Sequence, residues 1–394
     1  MPDEVLAIAR ALDQAGYEVW CVGGAVRDAI LGASGAGGPV EASDIDFTTS
    51  ARPEEVQRLF RRTINIGAKY GTVGVLDRNR VLHEVTTFRH DVQTDGRHAV
   101  VEYGASLDED LARRDFTINA IAYHPIRREW RDPFGGAGDL AAGVVRAVGE
   151  PSARFREDYL RILRALRFAA RFGFALDAAT WEAARAAAPG MQQLSAERVR
   201  DELFKSLRTA RSIEHLVTLW REVGAAAQLV PELDTGAGPY VAAEADRQPR
   251  DPVLLTVLLC ASPSAVLRRL RGSNDEVARA EAIERGPAEP AALDVEAVRR
   301  WLARVLGAAD DLMALWRLRH GTTAPWAGAV AEIRERGDAL TRGQLALNGA
   351  DLQALGIPRG PRIGEILDAL LDRVLADPAL NTRERLTTLV QELA

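Results

Sequence analysis

Two carboxylates two residues apart, Asp44 and Asp46 in the run Asp44-Ile45-Asp46-Phe47-Thr48-Thr49, are the side chains here best suited to chemistry. On a β-strand that spacing puts both on one face and turns Ile45 and Phe47 to the other, into a core. Two adjacent anions repel unless a cation lies between them. Hard oxygen ligands on a rigid strand suit Mg²⁺, which keeps part of its water and takes further oxygens from phosphates. A pair of such ions, about 4 Å apart, activates an attacking hydroxyl and steadies the leaving oxygen of an in-line displacement. Taken alone, the triplet reads more simply as the charged end of a strand.

The residues upstream change that balance. Residues 17–22 read as a buried strand and 25–31 as a helix, with Gly23-Gly24 between them. Glycines there let backbone N–H groups come close to a phosphate, although a tight turn alone also uses them. Arg27, at the start of that helix, is placed to reach the same anion. Glu84, on a strand over 81–88, is either a third metal-site carboxylate or an edge residue facing solvent. Arg113-Arg114-Asp115 sets two cations and an anion at one point. It reads as an exposed ion-pair cluster, or as Arg114 clamping a triphosphate while Asp115 accepts from a ribose hydroxyl.

Around these residues, helical spacing predicts helices over 3–15, 53–60 and 108–115, and strands over 72–76 and 81–88. Pro151 is expected to open one helix that runs to Phe172 and stops at Gly173. From residue 178 onward the pattern is almost wholly helical, with an unbroken run expected over 252–270. At 394 residues the chain should hold two to four packed units. No apolar run of about 18 residues and no secretory pattern appears, so the expected compartment is the cytosol, with no membrane partner. Cys21 and Cys260 lie in apolar runs without a CxxC or histidine partner, which argues against disulfides, structural zinc and thiol catalysis. A net charge of −6 does not favour nucleic acid, but between Arg146 and Arg171 seven arginines face only Glu150, Glu157 and Asp158.

Six runs, in order, carry a resemblance. They are Gly23-Gly24-Ala25-Val26-Arg27-Asp28, the Asp44–Thr49 run, Arg113-Arg114-Asp115-Phe116-Thr117-Ile118-Asn119-Ala120, Asp132-Pro133-Phe134-Gly135-Gly136, Glu157-Asp158-Tyr159-Leu160-Arg161 and, more weakly, Glu197-Arg198-Val199. Together they resemble the class II tRNA nucleotidyltransferases, the CCA-adding enzymes, and the related bacterial poly(A) polymerases. The second half of the chain carries none of the motifs.

The resemblance implies an α+β protein. A nucleotidyltransferase head with a mixed β-sheet and flanking helices would occupy 1–145, a helical neck 146–208, a helical body 209–290 and a helical tail 291–394. Asp44 and Asp46 would hold Mg²⁺ and activate the RNA 3′-hydroxyl. Gly23, Gly24, Arg27 and Arg114 would hold the triphosphate, with Asp115 and Asn119 beside them. Asp158 with Arg161 would read the base, and Arg164 and Arg167 would lie further along, toward phosphates or the base stack. Cytosine offers a donor at N4 beside an acceptor at N3, and adenine a donor at N6 beside an acceptor at N1. A carboxylate plus a guanidinium complements both and opposes uracil and guanine. An amphipathic helix with ion pairs three apart is the structural alternative. Residues 89–99 resemble the family's loop for A addition; Asp95-Gly96-Arg97 fits, while His98-Ala99 stands where Arg-Pro is expected.

These readings converge on a template-independent transferase that uses CTP and ATP to add CMP, AMP or both to the tRNA 3′ end, releasing pyrophosphate. The alternatives are a CC-only or A-only specialist, a poly(A) polymerase, and an RNA-binding protein with an inactive head. The sequence sets no oligomeric state.

Overall fold

The computed structural model describes residues 1–33, 45–67, 71–94, 99–234 and 242–393. Asp44 and residues 95–98 of the expected A-addition loop lie outside them.

Val5, Ile8, Ala9 and Leu12 share one side of helix α1 (Asp3–Gln14) and are all buried. Strand β1 (Val19–Val22) is buried on both faces and leads straight into α2 (Gly24–Ala33). Next come β2 (Asp46–Thr49), α3 (Pro53–Leu59), β3 (Thr63–Gly67), β4 (Thr72–Leu76) and β5 (Leu82–Thr87). After β6 (Arg89–Thr94) and β7 (Ala99–Tyr103) stand α4 (Leu107–Ala112), β8 (Ala122–His124) and β9 (Glu129–Arg131). Seven strands build one mixed sheet in the order β3-β4-β5-β2-β1-β8-β9. Within it β2 and β5 run parallel and the other neighbours antiparallel.

The sheet has two unlike faces. Cys21, Ile45, Phe47, Val73, Val75 and Val85 turn toward α1, α2 and α3 and form the main core. Ile45 and Phe47 thus face inward as the alternation predicts. Trp20, Val22 and Ala122 lie on the other face, against Leu107 and Leu111 of α4. That helix packs on the β1–β8 side of the face and reaches β2 through the Thr48–Asp110 hydrogen bond.

Downstream, α5 (Gly136–Ala142), β10 (Val144–Val145), α6 (Pro151–Glu157), α7 (Leu160–Phe172), β11 (Ala175–Leu176), α8 (Ala178–Ala187), α9 (Ala196–Thr209) and α10 (Ile213–Glu222) follow. Phe168 and Phe172 of α7 belong to the main core of the sheet domain. The chain divides into two compact units, Met1–Gly236 and Ala237–Ala394. The second unit is helical. Its best-defined core gathers Leu347, Leu352, Ile366, Leu370, Leu386 and Val390.

Three expectations are corrected. The helix expected from Pro151 to Phe172 is broken at Asp158, whose extended backbone (φ −158°, ψ 106°) separates α6 from α7. Residues 89–94 of the stretch expected as a loop form strand β6 itself, paired with β7. Residues 252–270 form two helices, Pro252–Leu259 and Pro263–Arg269, because proline cannot donate the N–H that would continue the first.

Asp132-Pro133-Phe134-Gly135-Gly136 has a structural task. The Asp132 carboxylate accepts from the N–H groups of Gly136 (2.7 Å) and Ala137 (2.9 Å) at the start of α5. A Cβ on Gly136 would sit 2.1 Å from the Thr117 carbonyl oxygen, whereas one on Gly138 would meet nothing within 4 Å. Gly136→Ala should therefore destabilise the protein by about 1–3 kcal/mol, seen as a lower melting temperature, and Gly138→Ala should not.

Candidate active site

The site forms where β1 ends. Val22 pairs with Asp46 on the neighbouring strand, and Gly23 then turns the chain in the left-handed region (φ +78°) into α2. A Cβ on Gly23 would lie 3.9 Å from an Asp46 carboxylate oxygen and 3.8 Å from Nη1 of Arg114. A carboxylate, a guanidinium and the free N–H groups of a helix start thus surround a gap that glycine leaves open. Burial pushes the thiol of Cys21, on the opposite face, up to about 12, and the Asp46 charge adds to the shift.

Arg114 is aimed by a buried anion. Asp110, wholly buried in α4, accepts from Nε of Arg113 (2.9 Å), Nη2 of Arg114 (3.2 Å) and the Thr48 hydroxyl (3.2 Å). Burial alone would raise the Asp110 pKa, but the two guanidiniums outweigh it and hold the group below its ordinary value. Nε of Arg114 is buried with no hydrogen-bond partner, and Nη1 is the atom that borders the gap at Gly23.

Asp115 is engaged on both oxygens. One accepts from the Phe116 N–H and the Asn119 amide (both 2.9 Å), the other from Nε of Arg164 in α7 (2.7 Å), whose Nη2 completes the ion pair at 2.6 Å. Burial works to raise its pKa, yet Arg164, Asn119 and the Phe116 N–H hold it low. Asn119 in turn accepts from Nη1 of Arg27 (2.6 Å). Arg27 is buried, bonded to Asp28 and flanked by the rings of Phe168 and Phe172 at 5.2 and 4.9 Å. It lies beneath Gly24 as part of the joint between α2 and α7.

The base-reading pair is arranged differently from expectation. Asp158 caps α7 through the Leu160 N–H (3.0 Å) and pairs with Nη2 of Arg198 in α9 (2.7 Å). Arg161 pairs with Glu157 (2.7 Å) and donates to the Arg113 carbonyl (3.2 Å). Arg167 is buried against Glu202, its guanidinium over the Phe168 ring. Arg198 and Asp110 were absent from the sequence-derived site. A cation in the first turn of α9, where the helix dipole disfavours it, was the available sign that Arg198 serves a carboxylate.

Glu84 is exposed, and register puts it on the Asp46 face: Phe47 pairs with Val85, so the preceding residues share the opposite side. Among the described residues no group of three or more His, Cys, Asp or Glu is arranged to hold a metal.

Residues 19–146 match the family described as "Poly A polymerase head domain", and 173–236 the one described as "Probable RNA and SrmB- binding site of polymerase A". The CCA-adding enzyme of Geobacillus thermodenitrificans is 36% identical over 408 residues, covering 99% of this chain and 96% of the relative. The chain belongs to the CCA-adding enzyme family. The crystal structure of the Bacillus stearothermophilus CCA-adding enzyme in complex with CTP superposes with a TM-score of 0.78 at 33% identity, over 99% of this chain and 96% of that one. The Thermotoga maritima CCA-adding enzyme complexed with tRNA shares the fold at 21% identity and a TM-score of 0.58, over 100% and 96% of the two chains. Membership makes the chain a nucleotidyltransferase of a generally metal-dependent family. Among the described residues no helix is long and apolar enough to cross a membrane.

Because folding depresses the Asp115 pKa, its stabilisation is complete above the unfolded value of about 3.9 and is lost as pH falls through the lower native value. Asp115→Asn should be less stable than wild type at pH 7, and denaturant titrations should show the gap narrowing below about pH 4.

Proposed function

We propose that this protein completes the 3′ end of tRNA, adding CMP from CTP and then AMP from ATP without a nucleic-acid template, in the cytosol. The observation that carries the reading is the gap at Gly23, with Asp46 on one side and Arg114 on the other. The RNA 3′-oxygen attacks the α-phosphorus, its proton leaves, the bond to the β-phosphate oxygen breaks, and pyrophosphate departs.

Arg114, aimed by Asp110, holds the triphosphate, and the N–H groups after Gly23 approach its oxygens. Asp46 presents hard oxygen ligands into the same gap, which fits Mg²⁺, with Asp44 as the second ligand. The ion would lower the pKa of the attacking hydroxyl and screen the charge on the phosphates. Asp158 and Arg161 read the base edge once it displaces Arg198 and Glu157 from them. Asp115 and Asn119 support the reader helix, and Arg164 stays near enough to its start to meet the nucleotide. In this division the sheet domain is the catalytic head, α6–α9 form the neck, and the helices beyond it form a body and tail that grip the acceptor arm.

Purified protein with Mg²⁺ and labelled nucleotide should add CMP to tRNA ending at the discriminator base, AMP to tRNA ending in CC, and nothing to tRNA ending in CCA. Asp46→Asn should abolish both additions while tRNA binding persists. Long A tails on unrelated RNA would assign a poly(A) polymerase instead, and CMP or AMP addition alone would assign a specialist.

A further inference from the structure

Beyond Asp46 and its neighbour Glu84, the same face of the sheet carries an apolar shelf. Ile64 pairs with Gly74 and Gly74 with Glu84. One step back from the Phe47–Val85 pair, Glu84 comes alongside Asp46, which pairs with Val22. A single row thus crosses four strands from the β3 edge to Asp46 and meets Val22 on a fifth. Gly74 leaves a floor without a side chain, and Ile66 and Leu82 close over it: a Cβ there would lie 2.6 Å from Cδ1 of Ile66 and 2.8 Å from Cδ1 of Leu82.

These side chains are open to solvent. Ile64, Ile66 and Leu82 are 45%, 43% and 39% exposed, while their neighbours His83 and Val85 are fully buried. A cluster of exposed branched side chains beside a catalytic group marks a contact surface. Among the described residues, α4 packs on the β1–β8 side of this face and reaches β2 at Thr48.

The reaction geometry selects the occupant. In phosphoryl transfer the attacking and leaving oxygens stand roughly in line across the phosphorus. The leaving pyrophosphate belongs on the β1 side of Asp46, where Gly23 and Arg114 stand. The attacking oxygen must then arrive from the opposite side, across β5 and β4. We propose that the shelf of Ile64, Ile66 and Leu82 seats the terminal nucleotide of the RNA being extended, with its base against the apolar side chains and its 3′-hydroxyl at Asp46. Unstacked RNA bases favour flat, apolar contacts that ignore base identity. A growing end needs that tolerance, because its last base changes after each addition.

This inference rests on the transferase reading of the Asp46 site, and the test separates the two. The triple variant Ile64→Ser, Ile66→Ser, Leu82→Ser should lose about ten-fold in kcat/KM for tRNA while its equilibrium affinity for CTP stays at the wild-type value, which also reports a folded head. A tRNA carrying 4-thiouridine as its last nucleotide should photo-crosslink to residues 64–66 or 82 of the wild type. Unchanged kcat/KM in the triple variant, or a crosslink that maps elsewhere, would overturn the shelf while the transferase stands. A wild-type protein that binds CTP but extends no tRNA would overturn the transferase reading itself.

Discussion

The buried carboxylate of Asp115 joins the two halves of the site. It stands between the sheet domain and α7, and its two oxygens are held from both: Phe116 and Asn119 on one side, Arg164 on the other. Removing one partner of such a cluster leaves a buried charge unpaired, which typically costs about 3–5 kcal/mol. Through Asn119 the cluster also fixes Arg27, so the helix after the glycine turn and the helix of the base reader are locked to one point. In the proposed reading, the spacing between the phosphate end and the base end of a bound nucleotide would be set there, by side chains that act through position alone.

The groups proposed to touch nucleotide differ from this joint in one respect: their partners lie nearer solvent. Asp158 and Arg161 are held by Arg198 and Glu157, which are part-exposed ions. In the proposed reading, orienting both side chains before substrate arrives reduces the ordering that binding requires. An incoming cytosine or adenine would replace one hydrogen-bonding partner with another. Uracil or guanine would displace the same partners and return mismatched donors and acceptors, so the penalty would fall on the wrong bases.

Local signals in the chain were legible and long-range ones were not. The alternation around Ile45 and Phe47, the Gly23 turn and the Gly173 helix stop depend on neighbouring residues, and each stands as read. The break at Asp158 depends on distant ones. Nothing in Glu157-Asp158-Tyr159-Leu160 forbids a helix. Arg198 holds the Asp158 side chain, and Tyr159 packs so closely on Gly190 that a Cβ there would lie 2.2 Å from its ring. Strand β3 escaped notice for a related reason. Ile64 and Ile66 alternate as a strand should, but they face outward, and outward apolar residues carry no core signal. Arg27 was expected at an anion from its place at the helix start, and Arg167 toward phosphates or the base stack from its place along the helix; both are buried, against Asn119 and Glu202. The Asp44 half of the carboxylate pair was legible only as sequence.

The central claim is that protein side chains, with no nucleic-acid template, choose cytosine and adenine. The preference for CTP over UTP and for ATP over GTP, measured as ratios of kcat/KM in Asp158→Ala beside the wild type, tests it most directly. Loss of the acceptor facing N4 and N6 should collapse both ratios toward one, at least about ten-fold from the wild-type values. Full discrimination retained in that variant would contradict the account and make α7 a purely structural helix.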